Sequence, residues 1–142
     1  MKTSARNIFN GAISALKSGT VNAEVIIALS GGDQLVAVIT QESVKTLELT
    51  VGTQVIALVK APWVMLMTEP SGIRLSARNC LAGTVKSVEV GAVNAEVALT
   101  LPGGTEITAI ITRDSVHELG LKPGVAATAV IKASNVILGV PA

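Results

Sequence analysis

Apolar and polar residues alternate through Val21-Asn22-Ala23-Glu24-Val25, and an apolar run then continues to Leu29. A period of two predicts a strand with one buried face, here Val21 to Leu29. Gly11 to Leu16 predicts an earlier strand, stopped by Lys17-Ser18-Gly19. Ser30-Gly31-Gly32-Asp33 reads as a glycine-rich hairpin turn, and Leu35 to Ile39 as a third strand. Then the period changes. Thr40 to Leu47 predicts a short helix, with Thr40 as its N-cap and Glu42 in its positive first turn. Gln54 to Val59 and Val64 to Thr68 predict two final strands.

The whole pattern then returns at one fixed offset. Ser4-Ala5-Arg6-Asn7 recurs as Ser76-Ala77-Arg78-Asn79, and Val21-Asn22-Ala23-Glu24-Val25 as Val93-Asn94-Ala95-Glu96-Val97. Roughly 27 of about 68 aligned positions are identical without a gap, which defines a tandem repeat. The division expected is residues 1–70 and 71–142, with Glu69-Pro70-Ser71-Gly72 as the joint. The second copy repeats the element order, with Pro102-Gly103-Gly104 as the turn and a helix opened by Thr112. Gly120 gives this helix a stop signal that Glu48 does not give the first.

Three strands, a short helix and two strands is the element order of an OB barrel. The helix between strands three and four separates it from an SH3-like barrel. The fold class expected is therefore all-β, with two tandem five-stranded OB barrels.

Composition narrows the function. The chain is 49% hydrophobic but 1% aromatic, so Val, Ile, Leu and Ala must build the cores. A net charge of +1 gives no global field for nucleic acid or an anionic membrane. One cysteine, Cys80, excludes an internal disulfide and a cysteine-based metal cluster. Cys80 aligns with Ile8 and reads as a small buried hydrophobe. His117 aligns with Lys45 on the surface of the second helix. There is no catalytic constellation, no metal-cation cluster and no phosphate-loop lysine motif. No apolar run is long enough for a signal peptide or membrane span. The reading is a soluble cytoplasmic protein that is not an enzyme.

Four segments recur in both copies: Ser-Ala-Arg-Asn, Gly-x-Val-Asn-Ala-Glu, Ile-Thr-x-x-Ser and Lys-Ala. Hydroxyls, Arg and Lys form a donor-rich set that suits a fully ionised oxyanion. Each also has a plainer reading. Thr40 and Ser43 can cap a helix. Lys60 can be a solvated loop charge. Arg6 and Asn7 can tie the first strand down. Glu24 and Glu96 can face water or pair locally. Joint recurrence favours the functional reading, because a bare fold has no need of all four segments in duplicate.

The combined motif resembles the molbindins, the Mop/TOBE-like molybdate-binding OB domains, over both repeats. The resemblance implies molybdate or tungstate as ligand, no catalytic cofactor, and sites at domain and subunit interfaces. One site type would use Ser4, Ala5, Arg6, Lys60 and Ala61, with Thr40 and Ser43 reaching in from a neighbouring unit. Its second copy would use Ser76, Ala77, Arg78, Lys132 and Ala133, with Thr112 and Ser115 in the same roles. A second type, on a threefold axis, would use Gly19, Val21, Asn22 and Glu24, with Gly91, Val93, Asn94 and Glu96. Pro62-Trp63 follows Lys-Ala in the first copy and Ser134-Asn135 in the second. Ser134 adds a hydroxyl and keeps the backbone donor that Pro62 lacks, so the Lys132 site is expected to be the better furnished. The family's six-domain ring implies a homotrimer that stores or buffers molybdate inside the cell.

The alternative is a non-enzymatic OB module for single-stranded nucleic acid or a protein partner. Such nucleic-acid modules stack bases on aromatics in a basic groove. One Phe, one Trp and near-neutral charge argue against it.

Overall fold

Two five-stranded sheets form from the alternating segments. The computed structural model describes residues 1–69 and 72–142. Pro70 and Ser71, half of the expected joint, lie outside the described residues. The first repeat supplies β1 (Asn7–Ser18), β2 (Asn22–Leu29), β3 (Gln34–Thr40), α1 (Gln41–Thr46), β4 (Gln54–Val59) and β5 (Met65–Met67). The second supplies β6 (Asn79–Val90), β7 (Asn94–Thr100), β8 (Glu106–Thr112), α2 (Arg113–Leu119), β9 (Ala126–Ile131) and β10 (Ile137–Gly139).

The fold class matches the expectation, with both helices between the third and fourth strands of their repeats. The first strand is longer than the Gly11 to Leu16 run, reaching from Asn7 to Ser18. It carries a bulge between Ile13 and Ala15, and β6 carries one between Val85 and Ser87. A bulge bends a strand, and each long strand pairs with two neighbours across it.

The last strands are exchanged. One sheet runs β10-β4-β1-β2-β3 and the other β5-β9-β6-β7-β8. Ile137 faces Leu58 and Leu138 faces Ala57, while Met65 faces Val130 and Leu66 faces Ala129. The edges of β10 and β3 approach each other, as do those of β5 and β8, closing each barrel. Each barrel thus takes four strands from one repeat and its fifth from the other.

Burial follows the alternation. Ala23, Val25, Ile27 and Leu29 of β2 point inward, as do Ala95, Val97 and Leu99 of β7. Val44 and Val116 are the buried residues of the two helices. The strand starts differ from the expected phase. Asn7 and Asn79 are buried, at 2% and 1% exposure, so the alternation turns Ile8 and Cys80 outward. Cys80 is therefore exposed rather than a buried hydrophobe. Among the described residues no helix is long and apolar enough to cross a membrane.

Both helices are capped as expected. The Thr40 hydroxyl accepts from the Ser43 N–H at 3.0 Å, and Thr112 accepts from the Ser115 N–H at 3.1 Å. Gly120 follows α2 with φ 63°, in the left-handed region. Glu48 occupies the equivalent position at φ 53°, so the first helix makes the same turn without glycine.

Candidate functional site

The recurring segments meet where the two barrels join. Asn7 Nδ2 donates to the Thr108 carbonyl, and the Thr108 N–H donates to Asn7 Oδ1, both at 2.8 Å. Asn79 does the same to Val36, at 2.7 and 2.8 Å. Each side chain mimics a strand neighbour for the third strand of the opposite repeat. The arginines beside them also cross over. Arg6 holds Glu96 through two bonds of 2.7 Å, and Arg78 holds Glu24. The two glutamates therefore pair across the repeats rather than locally. The Glu96 hydrogen bond and its charge, with a smaller contribution from Glu89, hold the Arg6 guanidinium above its usual range.

The two hairpin turns abut as well. Asp33 accepts from the N–H groups of Gly103 at 3.0 Å and Thr105 at 3.2 Å. Desolvation pushes this carboxyl upward, but hydrogen bonds from Thr105 and Gly103 outweigh it and leave Asp33 below its usual value. Gly31 has φ 74°, and a Cβ there would lie 2.0 Å from the Gly103 carbonyl oxygen. Only glycine fits that approach.

On the flank of this junction, Ser76, Ala77, Arg78, Lys132, Ala133 and Ser134 line one cavity of about 400 Å³. These six are the candidates expected from the second repeat's strand start and Lys-Ala segment. Ala133 is buried and Lys132 is exposed, so the 3-10 turn Ala133–Asn135 presents the ammonium at the rim. An adjoining cavity of about 410 Å³ is lined by Asn22, Thr40, Ser43 and Ser134. Ser134 and Val38 line both cavities, so the first repeat's helix start faces the second repeat's Lys-Ala-Ser turn within one chain. The Thr40 hydroxyl donates to Ser43 Oγ at 2.8 Å, which leaves the Ser43 proton free to point outward.

The first repeat's candidates are arranged differently. Arg6 lines a cleft of about 420 Å³ with Asn7, Ser30, Thr105 and Glu106, and Lys60 is not among its walls. Lys60 Nζ instead sits 5.5 Å from the Trp63 ring centre, a cation–π distance. Ser4 is exposed and Ala61 is buried behind Lys60. Thr112 and Ser115 share a 2.8 Å hydroxyl contact like that of Thr40 and Ser43.

The second candidate type divides. Gly91, Asn94 and Glu96 line a cavity of about 420 Å³ with Glu89, while Val93 is 73% exposed. Val21 is likewise exposed at the other loop, beside Gly19 and Asn22. The Gly19 N–H is spent on the Asn22 carbonyl and the Gly91 N–H on Asn94, both at 2.8 Å. Two backbone donors of this segment are therefore already used.

Asn7 makes backbone hydrogen bonds that tie the first strand down, as its plainer reading has it, but to the other repeat and from a buried position. The crossing of Arg6 and Arg78 to Glu96 and Glu24 was not expected. The available signal was the joint recurrence itself: a reciprocal contact between two repeats requires both partners in both copies.

Paired OB barrels with exchanged strands and donor-lined cavities at their junction are built from a duplicated small domain, and the TOBE domain matches this chain at residues 3–66 and 75–138. The chain belongs to the TOBE-domain family. It is 51% identical over 140 residues to the molybdenum transport protein ModE of Azotobacter vinelandii, covering 99% of this chain and 52% of that protein. It is 46% identical over 141 residues to the molybdenum-pterin-binding protein MopA of Rhodobacter capsulatus, covering 99% and 53%. The chain thus spans about half the length of these relatives. A crystal structure of the cytoplasmic molybdate-binding protein ModG, with molybdate bound, superposes with a TM-score of 0.95 at 67% identity, covering 99% of this chain and 100% of that one.

Proposed function

We propose that this chain binds molybdate, and tungstate with it, as a non-enzymatic oxyanion-binding protein. One observation carries the reading: the chain is alike end to end to a molybdate-bound protein, at 67% identity and TM-score 0.95. The cavity of Ser76, Ala77, Arg78, Lys132, Ala133 and Ser134 supports it chemically. A tetrahedral dianion entering there loses hydration. Charge-assisted bonds from Lys132 and Arg78, with hydroxyls of Ser76 and Ser134, replace it. Ser43 adds a donor from across the Ser134 wall, its hydroxyl proton left free and its oxygen held by Thr40. The equivalent first-repeat set is Ser4, Ala5, Arg6, Lys60 and Ala61, with Thr112 and Ser115.

Donors alone select against phosphate, which carries a proton at neutral pH and needs an acceptor. Sulfate is also unprotonated, so cavity size must reject it. The loops at Gly19, Val21, Asn22 and Glu24, and at Gly91, Val93, Asn94 and Glu96, are the second candidate anion position. The arginine pairs offset the glutamate charge there. Their exposed valines suit burial against further copies of this chain in a homotrimer. Storage or buffering of molybdate in the cytoplasm, without nucleic acid or membrane, is the biological reading.

Calorimetric titration of the full chain tests this. Molybdate is expected to bind and sulfate to compete poorly. Lys132→Ala is expected to weaken the tightest class roughly ten-fold or more, the cost of a charged hydrogen bond. Unchanged affinity and stoichiometry in Lys60→Ala and Lys132→Ala would remove these sites.

A further inference from the structure

The two repeats place different charges opposite their glutamates. In antiparallel register Lys17 faces Glu24, whereas Glu89 faces Glu96. Directly opposed residues share a face, so Glu24 has a cation beside it and Glu96 has a second carboxylate. Arg6 sits over the like-charged pair. It bonds Glu96 through both terminal nitrogens and feels Glu89 as well. Arg78 reaches Glu24 through one nitrogen, on the face where Lys17 can serve the same carboxylate.

Pulling Arg6 toward an anion would leave Glu96 facing Glu89 uncompensated. Pulling Arg78 away leaves Glu24 beside Lys17. The cavities follow the same division. Arg78 already shares walls with Lys132, while Arg6 lines a cleft that Lys60 does not enter.

Taking the oxyanion reading as given, we propose that Lys17 and Glu89 are positioning residues that make the duplicated sites unequal: Glu89 holds Arg6 in its ion pair, Lys17 frees Arg78, and the Arg78–Lys132 cavity fills first. Neither residue belongs to the donor set, but Glu89 also lines the cavity of Gly91, Asn94 and Glu96, so Glu89→Gln, which removes the carboxylate without placing a cation there, is the deciding variant. Both are exposed, and Lys17→Glu and Glu89→Lys leave the core untouched.

Two readouts on the full chain test this. In molybdate titrations, Glu89→Lys is expected to tighten the weaker class about two- to five-fold, the range for an exposed ion pair. Lys17→Glu is expected to weaken the tighter class by a similar factor, and Glu89→Gln to fall between Glu89→Lys and the parent chain. Without ligand, NMR of the arginine Nη–H groups, the ones that bond the glutamates, is expected to show slower solvent exchange at Arg6 than at Arg78. Glu89→Lys should speed Arg6, and Lys17→Glu should slow Arg78. Equal exchange at the two arginines, or titrations blind to both substitutions, overturns the proposal. Unequal exchange with no molybdate uptake supports the charge arrangement and defeats the oxyanion reading instead.

Discussion

Asn7 and Thr108, 101 positions apart, exchange two hydrogen bonds across the junction of the barrels. The amide stands in for a neighbouring strand. It satisfies a backbone N–H and C=O that the sheet leaves open, and Asn79 repeats the arrangement at Val36. Asn7→Ala would leave both Thr108 groups without their partner at a part-buried position. The expected loss is about 1–2 kcal/mol, measured by denaturant melts. Asn79→Ala should cost as much. A loss under about 0.5 kcal/mol, the scale of a surface substitution, would show that the clamps are idle.

Glu48 carries a side chain in a left-handed turn that its counterpart Gly120 makes without one. Holding an L-residue there costs about 1–2 kcal/mol, partly offset by the greater unfolded freedom of glycine. Glu48→Gly is therefore expected to raise the melting temperature. Gly120→Ala should lower it.

Gly31 meets the Gly103 carbonyl across the junction at a distance no Cβ can occupy. Gly31→Ala is expected to cost more than about 1 kcal/mol, since both the left-handed φ and the contact oppose it. The loss should be read by thermal melting beside Gly32→Ala. Gly32 shares the positive φ but has open space around its Cβ position. Equal losses in the two variants would show that the hairpins do not press on each other.

Much of the barrel was legible in the sequence because alternation is local. Val21 to Leu29 announces its buried face, and Thr40 announces a helix start. The partner of a strand is not local. Met65–Met67 and Ile137–Gly139 would suit either barrel, since the repeats present nearly equivalent edges at Leu58 and Val130. Nothing in three residues distinguishes an exchanged strand from one that stays. The same limit hid the Arg6–Glu96 pair. Each residue reads locally as a donor or a solvated charge, and only the junction gives them to one another. Cys80 was expected inside because it aligns with the apolar Ile8, but the buried Asn7 and Asn79 set the phase of their strands and turn both Ile8 and Cys80 outward.

Asp33 links the junction to pH. Its folded-state value lies below the unfolded one, held there by Thr105 and Gly103. The contribution is thus complete above the unfolded value and is lost as pH falls through the folded one. Asp33→Asn is expected to flatten the acid limb of the stability curve relative to the parent chain, followed by melts from neutral pH downward. An unchanged acid limb would mean that the carboxylate is not held by the second turn.

Native mass spectrometry of the full chain with molybdate, and with sulfate as control, tests the account most directly. The expected result is a trimer that takes up several molybdates and keeps them against excess sulfate. A trimer that takes up neither anion would contradict oxyanion binding. The paired barrels would then stand as a structural or protein-binding module.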